Sequence, residues 1–505
     1  MGGRSDKTLW SGLFRISVDS GQTLQSQIRQ AVVTAILDRH MPANKPLPSC
    51  RTLASRLDVA RGTVVLAYQR LVDQGFLIAR ERRGHFVNPQ ALIALPDVPD
   101  MSEDTVRLDG PDWDARLSRR PSQDVNIVKP RDWLSFAYPF VYGQFDPSLF
   151  PIAQWRECSR MALGVRETRG WAADMVDRDD PLLIEQIRER LLPQRGIFAR
   201  PEEIMVTLGA QNALFFIATL LMGAGTKVVM EEPGYPDARN IIAGRTEHMR
   251  LAKVDGAGLD PDGIEAGCDY VFTTPSHHCP TTVSMPLDRR RALLDRAVED
   301  DFVLIEDDYD SQLVSDAEPL PALKGLDDAG RVIYVGSLSR ALAPGLRLGY
   351  IVADPAVLDE LRGLRRMMLR HPPGNNQRAA ALFLSLGHHD ALVRRMTRAF
   401  SQRRQTLIDA LEVHLPMFTM TPSHSGTAMW LEGPTGMDTV ALAQNACQRG
   451  VLVERGDVFY ATEPRPRNVL RLGFSSIAGD RIAPGIVELA KAVAEVMARP
   501  PEMAG

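Results

Sequence analysis

The chain has 505 residues, of which 44% are hydrophobic and 24% charged, a balance typical of globular domains. This length exceeds what one hydrophobic core usually supports, so we expect two or three domains. The net charge of −4 excludes a uniformly basic chain, but residues 10–88 carry eleven Arg and Lys against five Asp and Glu, leaving −10 for the remainder. A basic module joined to an acidic one indicates a polyanionic partner for the first part, although chance clustering on a solvated surface gives the same count.

No segment suggests secretion or membrane insertion. Residues 1–7 are polar and lack an apolar core, so we expect no signal peptide. The longest apolar run, 213–222, is far short of the ~20 residues that a membrane span needs. The five cysteines are scattered without metal-ligand spacing, which favours reduced thiols in a cytoplasm and predicts no metal site.

The first predicted elements are three helices. Residues 23–37 carry apolar side chains at helical spacing, and Ser49 is a suitable N-cap for a second, short helix. A third helix is predicted over 61–73, and Gly75 is placed to end it. The apolar positions of this third helix are Val64, Val65, Ala67, Tyr68 and Leu71.

Two short strands, 76–78 and 85–87, are predicted around the basic tip ARERRG. With the three helices they predict a winged helix-turn-helix, whose third helix would enter the major groove of DNA with its first turn leading. Residues at the helix starts and in the wing would contact phosphates or base edges. The candidates are Arg51, Arg61, Gly62, Thr63, Arg82, Arg83 and Gly84. The alternative is a helical module for protein contacts.

This module resembles the DNA-binding domain of GntR-type transcription regulators. Residues 47–87 match the LPS-x-R start, the TV-x-x-AY core and the G-x-FV wing end of that family. The family usually has Ser, Gly and Thr where this chain has Ala60, Arg82 and His85. The resemblance implies binding of double-stranded promoter DNA, and the departures put the wing contact in question.

Prolines and charges without periodicity fill the next segment, which predicts a long, partly extended linker. We therefore expect three parts: a DNA-binding domain at 10–88, a linker at 89–132 and a large domain at 133–500.

In the large domain, short apolar strands alternate with helices such as 211–221 and 289–297, which predicts an α/β fold with a mostly parallel sheet. The strands are predicted at 203–206, 227–230, 270–273, 302–306 and 331–335. Ligands of such sheets bind beyond the carboxyl ends of the strands, so we expect the site there.

Polar motifs follow these strands in turn. TLGAQNA is a Gly turn that opens a helix, whose free N–H groups suit a phosphate. EEPGYPDAR places Tyr235 at the pocket mouth, and DDYDS puts Asp307 and Tyr309 on one face of an extended segment. Two further candidates are Arg471 in LRLG and His277 after the strand at 270–273. All of these residues have a structural alternative. Asp307 and Tyr309 could support the end of a strand, Arg471 could be a salt-bridge partner, and His277 could cap a loop.

Together these motifs resemble fold-type I pyridoxal-phosphate enzymes, and with the first module they resemble the MocR subfamily of GntR regulators, which fuse the two. The expected fold class is a winged helix-turn-helix plus an α/β fold-type I aminotransferase-like domain. The resemblance implies that Tyr235 stacks on the cofactor ring, Asp307 pairs with the ring nitrogen and Arg471 meets a ligand carboxylate. The implied cofactor-binding set is Gly209, Ala210, Gln211, Tyr235, His277, Asp307, Tyr309, Ser337, Ser339, Arg340 and Arg347.

Arg340 stands where the family has the lysine that forms a Schiff base with the cofactor aldehyde. That bond needs a neutral amine, whereas arginine keeps its proton and offers a planar fork to anions. We therefore expect no catalytic residue and no enzyme activity. Lys253 and Lys324 are near in sequence, but nothing places either in the pocket, and Leu338 replaces a residue that is usually aromatic.

Three interpretations remain. The first is a regulator that binds pyridoxal phosphate, pyridoxamine phosphate or a cofactor–amine adduct non-covalently. The second is a regulator whose pocket is empty or senses another small anion, and the third is a working aminotransferase. For a regulator, the resemblance implies a homodimer, with a head-to-tail arrangement suited to the linker, and an effector such as an amino acid or a vitamin B6 vitamer.

Overall fold

The computed structural model describes residues 21–38, 40–41, 45–93, 110–310, 320–339, 342–422 and 426–498. They belong to two compact units, divided between Ser118 and Arg119. Among the described helices, none is both long and apolar enough to cross a bilayer. Arg340 lies outside the described residues.

The first unit contains three main helices and a hairpin. Its elements in chain order are α1 (Leu24–Leu37), α2 (Cys50–Leu57), α3 (Arg61–Asp73), β1 (Leu77–Arg80), β2 (Gly84–Val87), and the short α4 (Pro89–Ile93) and α5 (Trp113–Arg116). Strands β1 and β2 are antiparallel. The hydroxyl of Ser49 accepts a hydrogen bond from the backbone N–H of Thr52 at 3.1 Å, so it caps α2 as predicted. The predicted winged helix-turn-helix is confirmed.

One of the apolar positions of α3 lies outside the core. Val64, Ala67, Tyr68 and Leu71 are buried and form one stripe at spacings of three and four residues. Val65 is 37% exposed because it lies off this stripe, on the side of the helix turned away from the core.

The second unit is built on a sheet of eight strands. In chain order they are β4 (Ile204–Thr207), β5 (Val228–Glu232), β6 (Met249–Asp255), β7 (Gly258–Leu259), β8 (Tyr270–Thr273), β9 (Val303–Asp308), β10 (Val332–Ser337) and β11 (Gly349–Val352). Their order in the sheet is β4-β11-β10-β9-β8-β5-β6-β7. The strands from β10 to β6 are mutually parallel, while β11 runs antiparallel to both of its neighbours. The predicted mostly parallel sheet is confirmed.

Two smaller sheets complete the unit. The four-stranded antiparallel sheet has the order β12-β13-β16-β15, and a parallel pair joins β14 to β3. These strands are β3 (Tyr138–Pro139), β12 (Thr419–Met420), β13 (Ala428–Glu432), β14 (Val451–Leu452), β15 (Glu454–Arg455) and β16 (Val469–Gly473). Glu454 and Arg471 are directly opposed cross-strand partners.

Helices cover the large sheet on both sides. The helices of the second unit, some of which pack on the smaller sheets instead, are α6 (Ile152–Ala162), α7 (Val165–Trp171), α8 (Pro181–Gln186), α9 (Ala210–Leu221), α10 (Pro236–Ala243), α11 (Leu287–Glu299), α12 (Leu323–Leu326), α13 (Pro355–Met368), α14 (Gly374–Ser385), α15 (His388–His414), α16 (Thr439–Gln448) and α17 (Gly479–Met497). Ile305, Ile333 and Ile351 pack in one core cluster with α9, while Leu304 and Val332 pack in another with α11. Because the strands are buried on both faces, they read as continuous apolar runs in the sequence.

The segment predicted as a linker, 89–132, is divided in the structure. Its last part, from Arg119 onward, belongs to the second unit. The side chain of Asn240 on α10 donates a hydrogen bond to the carbonyl oxygen of Val125 at 3.0 Å, which ties this part to the large domain. The domain boundaries at 88 and 132 stay a prediction.

The strand directions place the predicted motifs at one edge of the large sheet. Strands β4, β5, β9 and β10 all end there because they run in the same direction. The antiparallel β11 begins at that same edge, and Ser337 pairs with Gly349 across the β10–β11 ladder. The segment between these two residues is therefore held at both ends beside the site.

Candidate functional site

In the first unit, the starts of α2 and α3 present exposed polar side chains. Arg51 on α2 and Arg61 and Gly62 on α3 are exposed, and Thr63 is half-buried. The hydroxyl of Tyr68 donates a hydrogen bond to the carbonyl oxygen of Pro48 at 3.1 Å, which fixes the start of α2 against α3. The predicted contacts at the two helix starts are therefore solvent-accessible.

The wing exposes the remaining predicted DNA contacts. Arg82, with φ +57°, lies in the turn between β1 and β2, and Gly84, with φ +92°, begins β2. Both are exposed, as is Arg83. The guanidinium of Arg80 lies 4.6 Å from the centre of the Phe86 ring, so Arg80 is held against the hairpin. The turn leaves Arg82 and Arg83 facing solvent.

The second turn of α3 carries apolar side chains that the sequence interpretation did not use for DNA contacts. Val65 is 37% exposed and Leu66 is 56% exposed, both outside the buried stripe. Val65 and Leu66 lie one turn after Arg61 and outside the apolar stripe at spacings of three and four residues. This position could have indicated a surface that contacts DNA, because apolar side chains outside the core would otherwise be exposed to water.

In the second unit, a cavity of about 340 Å³ lies at the carboxyl edge of the large sheet. Nine of the predicted site residues line it: Ala210, Gln211, Tyr235, Asp307, Tyr309, Ser337, Ser339, Arg347 and Arg471. They come from separate stretches of the chain, and the strand order brings them together. Two further predicted residues, Gly209 and His277, do not line the cavity.

One end of the cavity is rich in groups that bind anions. Gly209 precedes α9 with φ +85°, and a Cβ atom there would lie 2.9 Å from Nη2 of Arg347. That same Nη2 donates a hydrogen bond to the carbonyl oxygen of Leu208 at 3.0 Å. Ser337 and Ser339 line the cavity beside them, and the N–H of Ser339 donates to Oγ of Ser337 at 3.3 Å. A glycine at position 209 therefore makes room for the guanidinium.

The middle of the cavity is lined by an acid and two phenols. Asp307 is buried, with only 3% of its surface exposed. The hydroxyl of Tyr235 donates to Oδ2 of Asp237 at 3.0 Å, and burial raises the pKa of Tyr235 well above its usual value, with the neighbouring carboxylates adding to the effect. Tyr235 is therefore a neutral donor at physiological pH. The phenol of Tyr309 donates to the backbone oxygen of His277 at 2.8 Å.

His277 supports the wall of the cavity instead of facing it. Its ring lies edge-on to that of Tyr309, with centres 6.0 Å apart, and its Nε2 is 3.9 Å from Oδ2 of Asp310. The absence of a side chain at Gly426 leaves room for this ring, since a Cβ atom there would overlap it. These contacts favour a packing role for His277.

At the other end of the cavity, Arg471 is already paired within the chain. Its Nε donates to Oε2 of Glu454 at 2.8 Å, and its Nη2 lies 2.8 Å from the same oxygen. The guanidinium lies between the rings of Tyr142 and Phe459, at 4.2 and 4.6 Å from their centres. Burial alone would lower the pKa of Arg471, but Glu454 outweighs this effect and raises it, so the side chain stays charged.

A stretch of the predicted linker forms a further wall of the cavity. Residues 125–129, here called the strap, contribute Asn126, Ile127 and Lys129 to the lining. Asn126 donates a hydrogen bond through Nδ2 to Oδ1 of Asp237, the same carboxylate that accepts from Tyr235. Sequence interpretation missed these residues because the surrounding prolines favoured an extended linker.

Two profiles of known families match the chain. The family described as bacterial regulatory proteins, gntR family, matches residues 24–87. The family described as aminotransferase class I and II matches residues 161–480.

Relatives match over nearly the whole chain. The HTH-type transcriptional regulator TauR of Rhodobacter capsulatus is 43% identical, covering 93% of this chain and 96% of its own. The probable rhizopine catabolism regulatory protein MocR of Rhizobium meliloti is 30% identical, covering 86% of this chain and 84% of its own.

Among solved structures, the similarity is to aminotransferases. The α-aminoadipate aminotransferase LysN of Thermus thermophilus, solved with N-(5'-phosphopyridoxyl)-L-leucine, has a TM-score of 0.69 and 26% identity over 76% of this chain and 99% of that chain. Along the chain, the gntR family match comes first and the aminotransferase class I and II match follows, as in the fusion predicted from the sequence. The chain therefore belongs to the MocR subfamily of GntR regulators, in which a winged helix-turn-helix precedes an aminotransferase class I and II domain.

Proposed function

We propose that the cavity of this DNA-binding transcription regulator holds pyridoxal phosphate, pyridoxamine phosphate or a cofactor–amine adduct without a covalent bond. We further propose that the bound ligand sets the affinity of the protein for promoter DNA. The observation that carries the proposal is a cavity lined by anion-binding and ring-binding groups in a chain whose expected lysine is an arginine.

The residues present fit such a ligand. Gly209 leaves space next to the guanidinium of Arg347, and the serine hydroxyls of Ser337 and Ser339 are beside it, so this end suits a phosphate. Asp307 is buried at a position where its carboxylate would accept a hydrogen bond from a protonated ring nitrogen. Tyr235 offers a ring face and Tyr309 a phenol to the same cavity.

Pyridoxal phosphate supplies an electron-withdrawing ring and an aldehyde that reacts with amines. In this chain, the roles left to the side chains are binding and orientation. Arg340 keeps its proton and is no comparable amine nucleophile, so the side chain at that position forms no covalent bond to the aldehyde. A charged arginine there would add a hydrogen-bond donor to a phosphate or carboxylate.

Two other functions remain as alternatives. A regulator that senses a different small anion would use Arg347 and the serines but would not need Asp307. A working aminotransferase is favoured by the similarity to solved aminotransferases, but it requires a reactive amine that position 340 does not offer. The two experiments that follow separate these alternatives from the proposal.

The first experiment tests DNA binding. The full chain should retard promoter fragments from its own genomic neighbourhood, and a variant lacking residues 1–88 should not. Affinity should fall steeply with salt, because the arginines displace counterions condensed on the phosphates. Equal retardation by the truncated variant would refute the assignment of DNA binding to the first unit.

The second experiment tests the ligand by restoring the lysine. With added pyridoxal phosphate, the unmodified protein should bind a dialysable ligand that borohydride does not trap. The Arg340→Lys variant should turn yellow and be trapped at residue 340. A colourless Arg340→Lys variant would favour another anion, whereas trapping of the unmodified protein at a lysine would favour the enzyme.

We also propose that the protein is a homodimer with a head-to-tail arrangement, because fold-type I pockets are usually built at a subunit interface. Each chain has a mass of 55.9 kDa. Light scattering at micromolar concentration should therefore give twice that mass. A mass of one chain under these conditions would contradict the proposed dimer.

A further inference from the structure

The part of the cavity lining that includes Lys129, Tyr142 and Arg471 contains two cations that share the carboxylate of Glu454. Glu454 receives Arg471 on Oε2, while its Oε1 lies 3.4 Å from Nζ of Lys129 and accepts a hydrogen bond from the backbone N–H of Tyr142 at 3.1 Å. The formal charge of Lys129, Glu454 and Arg471 together is therefore +1. This excess charge would favour an anionic group of a ligand in the adjoining cavity.

Arg471 is poorly placed to receive that group alone. Its Nε donates to Oε2 of Glu454, its Nη1 donates to Sγ of Cys279 at 3.8 Å, and its Nη2 lies 2.8 Å from the same Glu454 oxygen as an ion pair. Its side chain is only 2% exposed, and two rings hold the guanidinium plane. A ligand carboxylate that took over these donors would displace Glu454. The carboxylate of Glu454, whose side chain is 4% exposed, would then stay buried without Arg471 as its partner. Displacement of this kind is costly because a buried charge needs a partner.

Lys129 is the more adaptable cation of the two. Its side chain is 24% exposed and lines the cavity, and its ammonium group is a compact charge on a flexible stem. The strap that carries it is anchored nearby through Asn126, which donates to Asp237, and through Ile127, which packs against the apolar cluster containing Phe459. The backbone is therefore held at the cavity. The ammonium donates a hydrogen bond to the carbonyl oxygen of Tyr142, and as a group with three donors it can also serve a ligand.

We propose that Lys129 is a specificity-determining residue that contacts the carboxylate of an amino acid carried by a cofactor-type ring, and that Glu454 fixes Arg471 as a supporting charge. This inference rests on the proposed function, because it assumes that the ring and phosphate occupy the rest of the cavity. The class of ligand that follows is an adduct of the cofactor with an amino acid, bound by its phosphate at Arg347 and by its acid at Lys129.

Two soluble probes isolate the contribution of the acid. Pyridoxamine phosphate and N-(5'-phosphopyridoxyl)glycine share the ring and the phosphate, but only the second carries a carboxylate. Calorimetric titration of the full-length protein should give a higher affinity for the glycine adduct than for pyridoxamine phosphate. In Lys129→Met this preference should fall by about 10-fold or more, as expected for one charge-assisted hydrogen bond.

Three variants serve as controls. Lys129→Arg should retain the preference because it keeps a cation. Lys253→Met removes an exposed lysine of β6 that does not line the cavity, so it should leave both affinities unchanged. If Lys129→Met does not fold, Lys129→Gln, which keeps a polar group beside Glu454, takes its place in the titrations.

The outcomes separate this inference from the proposed function. If Lys129→Met still prefers the glycine adduct, the inference is overturned, and Arg471 is the residue that binds the ligand carboxylate. Binding of pyridoxamine phosphate with no gain from the carboxylate also overturns it, while leaving the proposed function intact. Failure of the unmodified protein to bind either probe overturns both.

Discussion

The replacement Gly209→Ala tests how the phosphate end of the cavity is built. Gly209 has φ +85° and ψ 171°, a region that is almost restricted to glycine, so alanine there should strain the backbone by about 1–3 kcal/mol. The new Cβ would also lie 2.9 Å from Nη2 and 3.2 Å from Cζ of Arg347, so the guanidinium must move. Loss of one charge-assisted hydrogen bond to a phosphate costs about 1.5–3 kcal/mol, which corresponds to roughly 10- to 160-fold weaker binding.

The assay is calorimetric titration with pyridoxamine phosphate, together with thermal unfolding. Gly209→Ala should lower both the affinity and the melting temperature. Gly345→Ala is the matched control because an added Cβ at that exposed glycine meets nothing within 4 Å. A Gly209→Ala variant that folds and binds pyridoxamine phosphate as tightly as the control would refute the placement of the phosphate beside Arg347.

Three further predictions concern other parts of the chain. Arg61→Ala should weaken DNA binding by about 1–3 kcal/mol and flatten its dependence on salt, as read from retardation at several salt concentrations. Leu66 should contact a thymine methyl group, so exchanging thymine for uracil in a selected binding site should cost about 0.8 kcal/mol, or roughly fourfold, and Leu66→Ala should abolish this sensitivity. Asp146→Asn should lower the melting temperature at pH 7, and the difference from the unmodified protein should vanish in acid. Burial alone would raise the pKa of Asp146, but hydrogen bonds from Ser148 and from the guanidinium of Arg403 outweigh burial and lower it. The ionised carboxylate therefore stabilises the fold above the usual Asp pKa range, and this stabilisation is lost as the pH falls through the lowered pKa. A difference in melting temperature that stayed constant with pH would contradict this reasoning.

The sequence was sufficient to predict most elements but not their arrangement. The strand predicted at 270–273 has the observed bounds, because a run of apolar residues between turns is a local signal. The insertion of β11 between β4 and β10 could not be predicted, since strand order depends on contacts between residues far apart in the chain.

The limits at the site have similar causes. Nine predicted residues line the cavity, and eight of them lie in motifs at or near the edge of the large sheet where its parallel strands end. Arg471 is the exception, because it lies within β16 of the smaller sheet. The pairing of Arg471 with Glu454 depends on the register of β15 against β16, which residue types alone do not determine. Lys129 was missed for a different reason: without apolar periodicity, a segment that folds against a domain has the same pattern as a free linker.

Ser337 pairs with Gly349 across the β10–β11 ladder, so the segment between them is a loop that could be replaced as a unit. This short stretch contains Ser339, Arg340 and Arg347, so three of the proposed binding residues lie on one contiguous piece of the chain. Its two ends are secured by β10 and β11, which are neighbouring strands of the large sheet. Transplanting residues 338–348 from a lysine-bearing relative should therefore transfer the covalent chemistry and leave the sheet unchanged.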